Sequence, residues 1–175
     1  HPVTLEKKSS EKYFRALLNV LDGLSDTKII ITAPNADTDG RIIKQMIDKF
    51  VLKHKERSIS FTTMGRLKYL SSLQFVDAII GNSSSGLAEA PTFQIGTINI
   101  GNRQKGRIKA KSVIDCTPNK KSITKAIEKL YSKDFQADLK NVQNPYGVGN
   151  ATEKIMNILK TNYLPNVLVK EFFDL

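Results

Sequence analysis

Short β-branched runs and amphipathic stretches alternate along most of this chain. Lys28-Ile29-Ile30-Ile31-Thr32-Ala33 is a β-branched run closed by Pro34-Asn35, the pattern of a strand buried on both faces. Ahead of it, Phe14, Leu17, Leu18 and Leu21 recur at helical spacing and stop at Gly23. This predicts a helix over Leu5–Leu21 with Gly23 as its C-terminal cap. Ile42, Ile43, Met46, Ile47, Phe50 and Val51 repeat the helical period, and Ile59 to Thr63 returns to a strand pattern. The same reading gives a short helix over Leu67–Phe75, a strand over Ala78–Ile80 and the opening of a helix over Ser83–Glu89. Strands at Gly96–Ile100 and Ser112–Cys116 follow, and Pro118 stops the last of them. Strands alternating with helices through short connections pair in parallel and carry helices on both faces, so the expected class is α/β with a Rossmann-like parallel sheet. Its ligands belong outside the C-terminal strand ends. Two more helical faces follow, one of Ile123, Ala126, Ile127, Leu130 and Tyr131, the other of Ile155, Met156 and Leu159, with an Asn/Gly-rich stretch, 141–150, between them.

The length of 175 residues fits one domain, read as a Rossmann-like unit over 1–160 with a tail over 161–175. No repeat, low-complexity tract or linker interrupts it. The apolar runs are far below the roughly 18 residues that span a bilayer, and no secretory pattern opens the chain, which is read as soluble and cytoplasmic without a membrane partner. The single cysteine, Cys116, lies in no metal-ligand spacing and is read as a small core residue, and His1 and His54 are the only histidines. No metal and no cofactor is expected. The net charge of +10 invites a nucleic-acid reading, but the excess is local: 11 of the 27 Lys/Arg and only four of the 17 acids fall in 101–140. Within that stretch Arg103, Lys105, Arg107, Lys109 and Lys111 occur with no acid and no aromatic among them, so base stacking on a single strand is not suggested.

Three strand ends carry the candidate chemistry. In Ile79-Ile80-Gly81-Asn82-Ser83-Ser84-Ser85-Gly86-Leu87-Ala88-Glu89-Ala90-Pro91 a buried strand runs into a Gly/Ser turn that opens a helix. Backbone N–H groups and hydroxyls there suit an anion. Glu89, four residues after Ser85, lies one turn along the same face and suits the vicinal hydroxyls of a ribose; the competing reading is a simple helix cap. The next strand delivers Asn99-Ile100-Gly101-Asn102-Arg103-Gln104-Lys105-Gly106-Arg107 to the same edge. There Arg103 is the nearest guanidinium for a phosphate, and Arg107 serves equally as an exposed solubilising charge. Ala33-Pro34-Asn35-Ala36-Asp37 ends a third strand, where Asn35 could offer its amide to a base or ribose while Asp37 and Asp39 suit a turn. His1-Pro2-Val3-Thr4 opens the chain at a point where the alternation calls for a preceding strand, and His1 could assist a leaving phosphate or mark a boundary only. There is no GxxxxGK[ST] loop, no GxGxxG and no carboxylate pair beside the phosphate-binding turn.

Five blocks in order, His1–Thr4, Pro34–Asp37, Gly81–Gly86 with Glu89, Asn99–Arg107 and Tyr146-Gly147-Val148-Gly149-Asn150-Ala151, resemble the C-terminal half of hydrolysing UDP-N-acetylglucosamine 2-epimerases of the sialic- and legionaminic-acid branch. The resemblance spans residues 1 to about 160 and implies one half of a two-domain glycosyltransferase-B fold. It also implies a reaction in which UDP leaves C1 as a C2 proton is removed, giving a glycal that water attacks to release N-acetylmannosamine or a 2,4-diacetamido relative. Carried over by position, Ser83 and Ser84 hold the diphosphate, with Ser85 and Gly86 also nucleotide-binding, Glu89 holds the ribose, Asn35 the uridine side and Arg103 the phosphate, while His1 assists the leaving group. The same resemblance implies a UDP-sugar substrate, an N-terminal half that carries the acid/base carboxylates, and a homodimer at full length. The 175-residue chain alone is then expected to bind UDP weakly and turn nothing over. Two other readings stay open on the residues: the donor-binding half of a glycosyltransferase and a basic nucleic-acid module.

Overall fold

The computed structural model of the chain describes residues 9–34, 40–147 and 149–161. Five strands, β1 (Ile29–Thr32), β2 (Ser58–Phe61), β3 (Ala78–Gly81), β4 (Gly96–Ile100) and β5 (Val113–Cys116), alternate with helices. These are α1 (Ser10–Asp22), α2 (Gly40–Lys53), α3 (Gly65–Ser72), α4 (Ser85–Ala88), α5 (Lys120–Leu130), α6 (Lys133–Leu139) and α7 (Ala151–Thr161). A 3₁₀ turn, Ala90–Phe93, follows α4. Every strand pair is parallel: β1 with β2, and β3 with β4 with β5.

Helices lie on both faces. Side chains alternate along a strand, and β4 shows the two layers directly. Ile98 points into a core made with Ile114, Ala126, Leu130, Phe135 and Leu139, on the side of α5 and α6. Its neighbour Thr97 points the other way and donates its hydroxyl to the Gly86 carbonyl of α4 at 2.8 Å. On the α5 side, α1 and α2 join the layer through Leu17, Val20, Leu21, Ile29, Phe50 and Ile123, with Ile31, Ile80 and Ile100 packed against them. On the other side Leu73, Ala90 and Ile95 form a smaller core with Tyr69, Leu70 and Ile79.

Several boundaries differ from the sequence reading. The helix expected from Leu5 is described from Ser10 onward, since residues 1–8 lie outside the described residues. Gly23 does end it, but with φ −80°, so its N–H caps the Val20 and Leu21 carbonyls without a left-handed turn. The strand at β1 is not buried on both faces: Ile30 is 46% exposed and its register partner Ile59 49%. The reason lies in the layers: α3, α4 and the 3₁₀ turn pack their apolar side chains on β3 and β4, while over the matching face of β1 and β2 α3 extends the long side chain of Lys68, above the Phe61 ring. The helix expected to open at Ser83 amounts to the one turn of α4, because Pro91 brings no backbone N–H and its ring would meet the Leu87 carbonyl. Cys116 does sit part-buried against both larger cores, and burial, with Asp115 adjacent, pushes its thiol up to about 11.

Candidate functional site

β3 ends on Gly81 and β4 is followed directly by Gly101, both with positive φ (148° and 77°), a backbone turn that a side chain would resist. Two loops leave the same edge of the sheet from there. The first, Asn82–Ser84, enters α4; the Ser84 side chain makes no cap to it, and the Ser83 and Ser84 carbonyls take the helical N–H bonds of Gly86, Leu87 and Ala88. The hydroxyl of Ser83 only meets the Ser85 N–H at 3.4 Å. Gly86 is buried, and a Cβ on it would lie 2.5 Å from Thr97 Cγ2, so its smallness lets α4 close on β4. The Glu89 N–H bonds the Ser85 carbonyl at 3.0 Å, which completes the expected single turn between these residues and leaves Glu89 exposed at its end.

The second loop folds back on the first. Arg103 Nη1 and Gln104 Nε2 both donate to the Asn82 carbonyl, at 3.0 and 2.7 Å. Arg103 stays exposed while Gln104 is 1% exposed. This one carbonyl ties the guanidinium of the cationic loop to the hydroxyl-bearing turn. Lys109 at the far end of the loop pairs with Asp115 at 2.8 Å, and Asp115 also accepts from Asn99 at 2.7 Å. Burial on its own would raise the Asp115 carboxyl, but the bonds from Lys109 and Asn99 prevail and hold it below the usual carboxylate value.

Two side chains that the sequence reading did not single out complete the rim. Tyr69 of α3 hydrogen-bonds Ser85 through its hydroxyl, and its phenol is pushed up by burial, with the Ser85 bond opposing and the Glu89 charge adding. The segment after α6 braces α4, the 3₁₀ turn and the second loop: Asn144 Nδ2 donates to the Ala88 carbonyl and Thr92 Oγ1, at 2.8 and 2.7 Å, and the Tyr146 hydroxyl donates to the Ile108 carbonyl at 3.0 Å. Tyr146 belongs to a block read from the sequence, but Tyr69 lies 16 positions from its partner with no pattern linking them. His1, Asn35, Asp37, Asp39 and the residues from 162 onward lie outside the described residues. Among the described residues no three His, Cys, Asp or Glu side chains group as a metal site needs, and no helix is long and apolar enough to cross a membrane.

The profile of the UDP-N-acetylglucosamine 2-epimerase family matches residues 1–160. The chain belongs to that family. The GDP/UDP-N,N'-diacetylbacillosamine 2-epimerase (hydrolyzing) of Campylobacter jejuni is 41% identical over the whole chain, which covers 45% of that protein. The polysialic acid biosynthesis protein P7 of Escherichia coli is 33% identical, again over the whole chain and 45% of the relative. The UDP-N,N'-diacetylbacillosamine 2-epimerase (hydrolyzing) of Legionella pneumophila is 30% identical over 92% of the chain and 41% of its own length. This epimerase-family chain thus spans about 45% of the length of such relatives. Its fold is that of the UDP-GlcNAc 2-epimerase of Methanocaldococcus jannaschii, with a TM-score of 0.61 at 20% identity over 88% of this chain and 42% of that one. It is shared equally with a solved protein of Listeria monocytogenes, with a TM-score of 0.68 at 17% identity over 99% of this chain and 46% of the other.

Proposed function

We propose that this chain is the nucleotide-binding half of a hydrolysing UDP-sugar 2-epimerase. Its task is to hold the diphosphate that leaves C1 while a carboxylate outside these residues removes the C2 proton, after which water adds to the glycal. The observation that carries the reading is the Asn82 carbonyl shared by Arg103 and Gln104, which ties a guanidinium to the residue that leads into Ser83, Ser84 and Ser85. Fixed donors aimed at the charge that builds on a departing diphosphate stabilise it without reorganisation. Glu89 and the phenol of Tyr69 flank the far side of the turn, suited to the ribose hydroxyls and the pyrimidine; Asn35 and His1 are assigned to the uridine side and the leaving group. The sugar we favour is a 2,4-diacetamido hexose, because relatives at 41% and 30% identity are named for that substrate, with N-acetylmannosamine as the product of the N-acetylglucosamine alternative.

Titration calorimetry with UDP, UMP, GDP and a random oligonucleotide tests the reading. UDP is expected to bind more tightly than UMP by about ten-fold, as one lost set of charge-assisted hydrogen bonds predicts. The oligonucleotide winning at physiological salt would overturn it. Product analysis should show no turnover by the 175-residue chain and UDP with a 2-epimerised sugar from the full-length protein.

A further inference from the structure

The positive charge of the chain gathers at the ligand edge. Parallel strands end together, so the turns after β4 and β5 open on the same edge as the serine turn after β3, and Asn82, Gly101, Asn102 and Pro118 line one cavity there. Between Glu89 and Glu128 the one acid is Asp115, which Lys109 and Asn99 already engage. Over the same stretch the edge carries Arg103, Lys105 and Arg107 in the loop after β4, and Lys120 and Lys121 in the first turn of α5, all of them exposed. Arg103 is held to the Asn82 carbonyl; among the described residues the other four make no ion pair. Two anchors fix the loop on either side of its tip: Gln104 donates to the Asn82 carbonyl, and the Ile108 carbonyl accepts from the Tyr146 hydroxyl. Lys105 and Arg107 stand exposed between them. The turns that lead into β1 and β2 are the contrast. They carry Asp22, Asp26 and Glu56 among Lys28, Lys53 and Lys55, and Asp22 is bonded to Lys53 and His54 at 2.7 and 2.6 Å.

We infer, resting on the nucleotide-binding reading above, that this rim is a guidance surface for an anionic nucleotide sugar. Lys105, Arg107, Lys120 and Lys121 raise its rate of arrival through their field, and the serine turn with Arg103 holds it once it has arrived. Position separates the two tasks. α5 begins after β5, two strands from the turn after β3 and so about 10 Å across the sheet. It also lies on the face opposite α4. Lys120 and Lys121 are therefore placed to act on a diphosphate across solvent and not by gripping it. Exposed charges do act at that range, because the screening length is about 10 Å at 0.1 M salt and about 20 Å at 20 mM. The diphosphate of a nucleotide sugar carries two negative charges and no cation of its own, so it is the species that a one-signed rim draws in. Edges of this kind concentrate a counter-ion locally and raise its association rate by roughly 10- to 1000-fold.

NMR line shapes of the uracil protons of UDP, titrated with the 175-residue chain, give association and dissociation rates separately. The variant is Lys120→Glu with Lys121→Glu, since acids are welcome in the first turn of a helix and the fold is kept. At 20 mM salt its association rate is expected to fall about five-fold, and that of Lys120→Gln with Lys121→Gln about two-fold, as charges some 15 Å from a doubly charged ligand in water predict. Dissociation should stay the same, and the difference should vanish at 0.5 M salt. Adding Lys105→Gln and Arg107→Gln to the Gln pair should bring the loss to about five-fold. The unsubstituted chain supplies a second measurement: its association rate should drop as salt rises from 20 mM to 0.5 M while dissociation holds. An unchanged association rate in the Glu pair, a loss that appears in dissociation, or one that persists at 0.5 M salt would each overturn the guidance role and leave the nucleotide reading standing. UDP failing to bind the unsubstituted chain at all would overturn both. A random oligonucleotide that binds more tightly than UDP at 150 mM salt, and loses that binding in the Glu pair, would assign the rim to a polyanion and overturn the inference.

Discussion

Replacing Gly86 by Ala isolates the contact that seats the serine turn on the sheet. The added methyl would stand 2.5 Å from Thr97 Cγ2 and 3.3 Å from Thr97 Oγ1. Thr97 is 2% exposed and its hydroxyl is held by the Gly86 carbonyl at 2.8 Å, so neither side can yield freely. Overpacking of this kind costs about 1–3 kcal/mol. Exchanging Gly for Ala in a helical position returns up to about 1 kcal/mol, and the φ at Gly86 is one an L-residue adopts, so backbone strain adds nothing. The net loss is about 1–2 kcal/mol, or roughly 2–8 °C in Tm for a chain of this size, read by thermal unfolding followed by circular dichroism. The decisive variant is Gly86→Ala with Thr97→Ser, which keeps the hydroxyl and removes only Cγ2. It should recover most of the loss as a coupling between the two positions. A neutral Gly86→Ala, or a double variant no more stable than the sum of its parts, would show that the approach of α4 to β4 does not limit this position.

Arg103→Ala is expected to weaken UDP binding by about ten-fold with little change in Tm, because an exposed charge-assisted bond is lost; Gln104→Ala removes a buried amide and should cost about 1–3 kcal/mol of stability as well, which calorimetry beside melting separates. The Asp115 carboxyl sits below its unfolded value, so its contribution to stability is present above about pH 4 and is lost as pH falls through the folded value. Asp115→Asn should accordingly flatten the stability slope below pH 4 in urea melts, by a small amount because the carboxylate is 57% exposed. With its thiol near 11, Cys116 should react with a disulfide reagent at pH 8 about 100-fold more slowly than a free cysteine, rising to the free rate in urea.

How much of this was legible in the sequence depended on whether the cause was local. β4 occupies Gly96–Ile100 as read, because five residues with period and punctuation suffice to define a buried strand. The two loops and their common edge followed from the alternation alone. α6 escaped notice although Ser132 caps it at the Phe135 N–H and Phe135 and Leu139 share its buried face; seven residues carry too little periodicity. The exposure of Ile30 and Ile59 was hidden because a β-branched run records what a strand can bury, and what covers it is decided elsewhere. Gln104 lies between Arg103 and Lys105 and looks like part of a solvated stretch. Only the fold shows it turned inward to the Asn82 carbonyl. The placement of Tyr69 against Ser85 is likewise a fact of tertiary packing.

The brace formed by Asn144 and Tyr146 reaches Ala88, Thr92 and Ile108 from a point far along the chain. Anyone transplanting the serine turn and arginine loop as a cassette onto another Rossmann scaffold must therefore carry the polypeptide through to Gly147. A shorter graft would copy the lettering of the rim and leave behind the scaffolding that keeps it in shape.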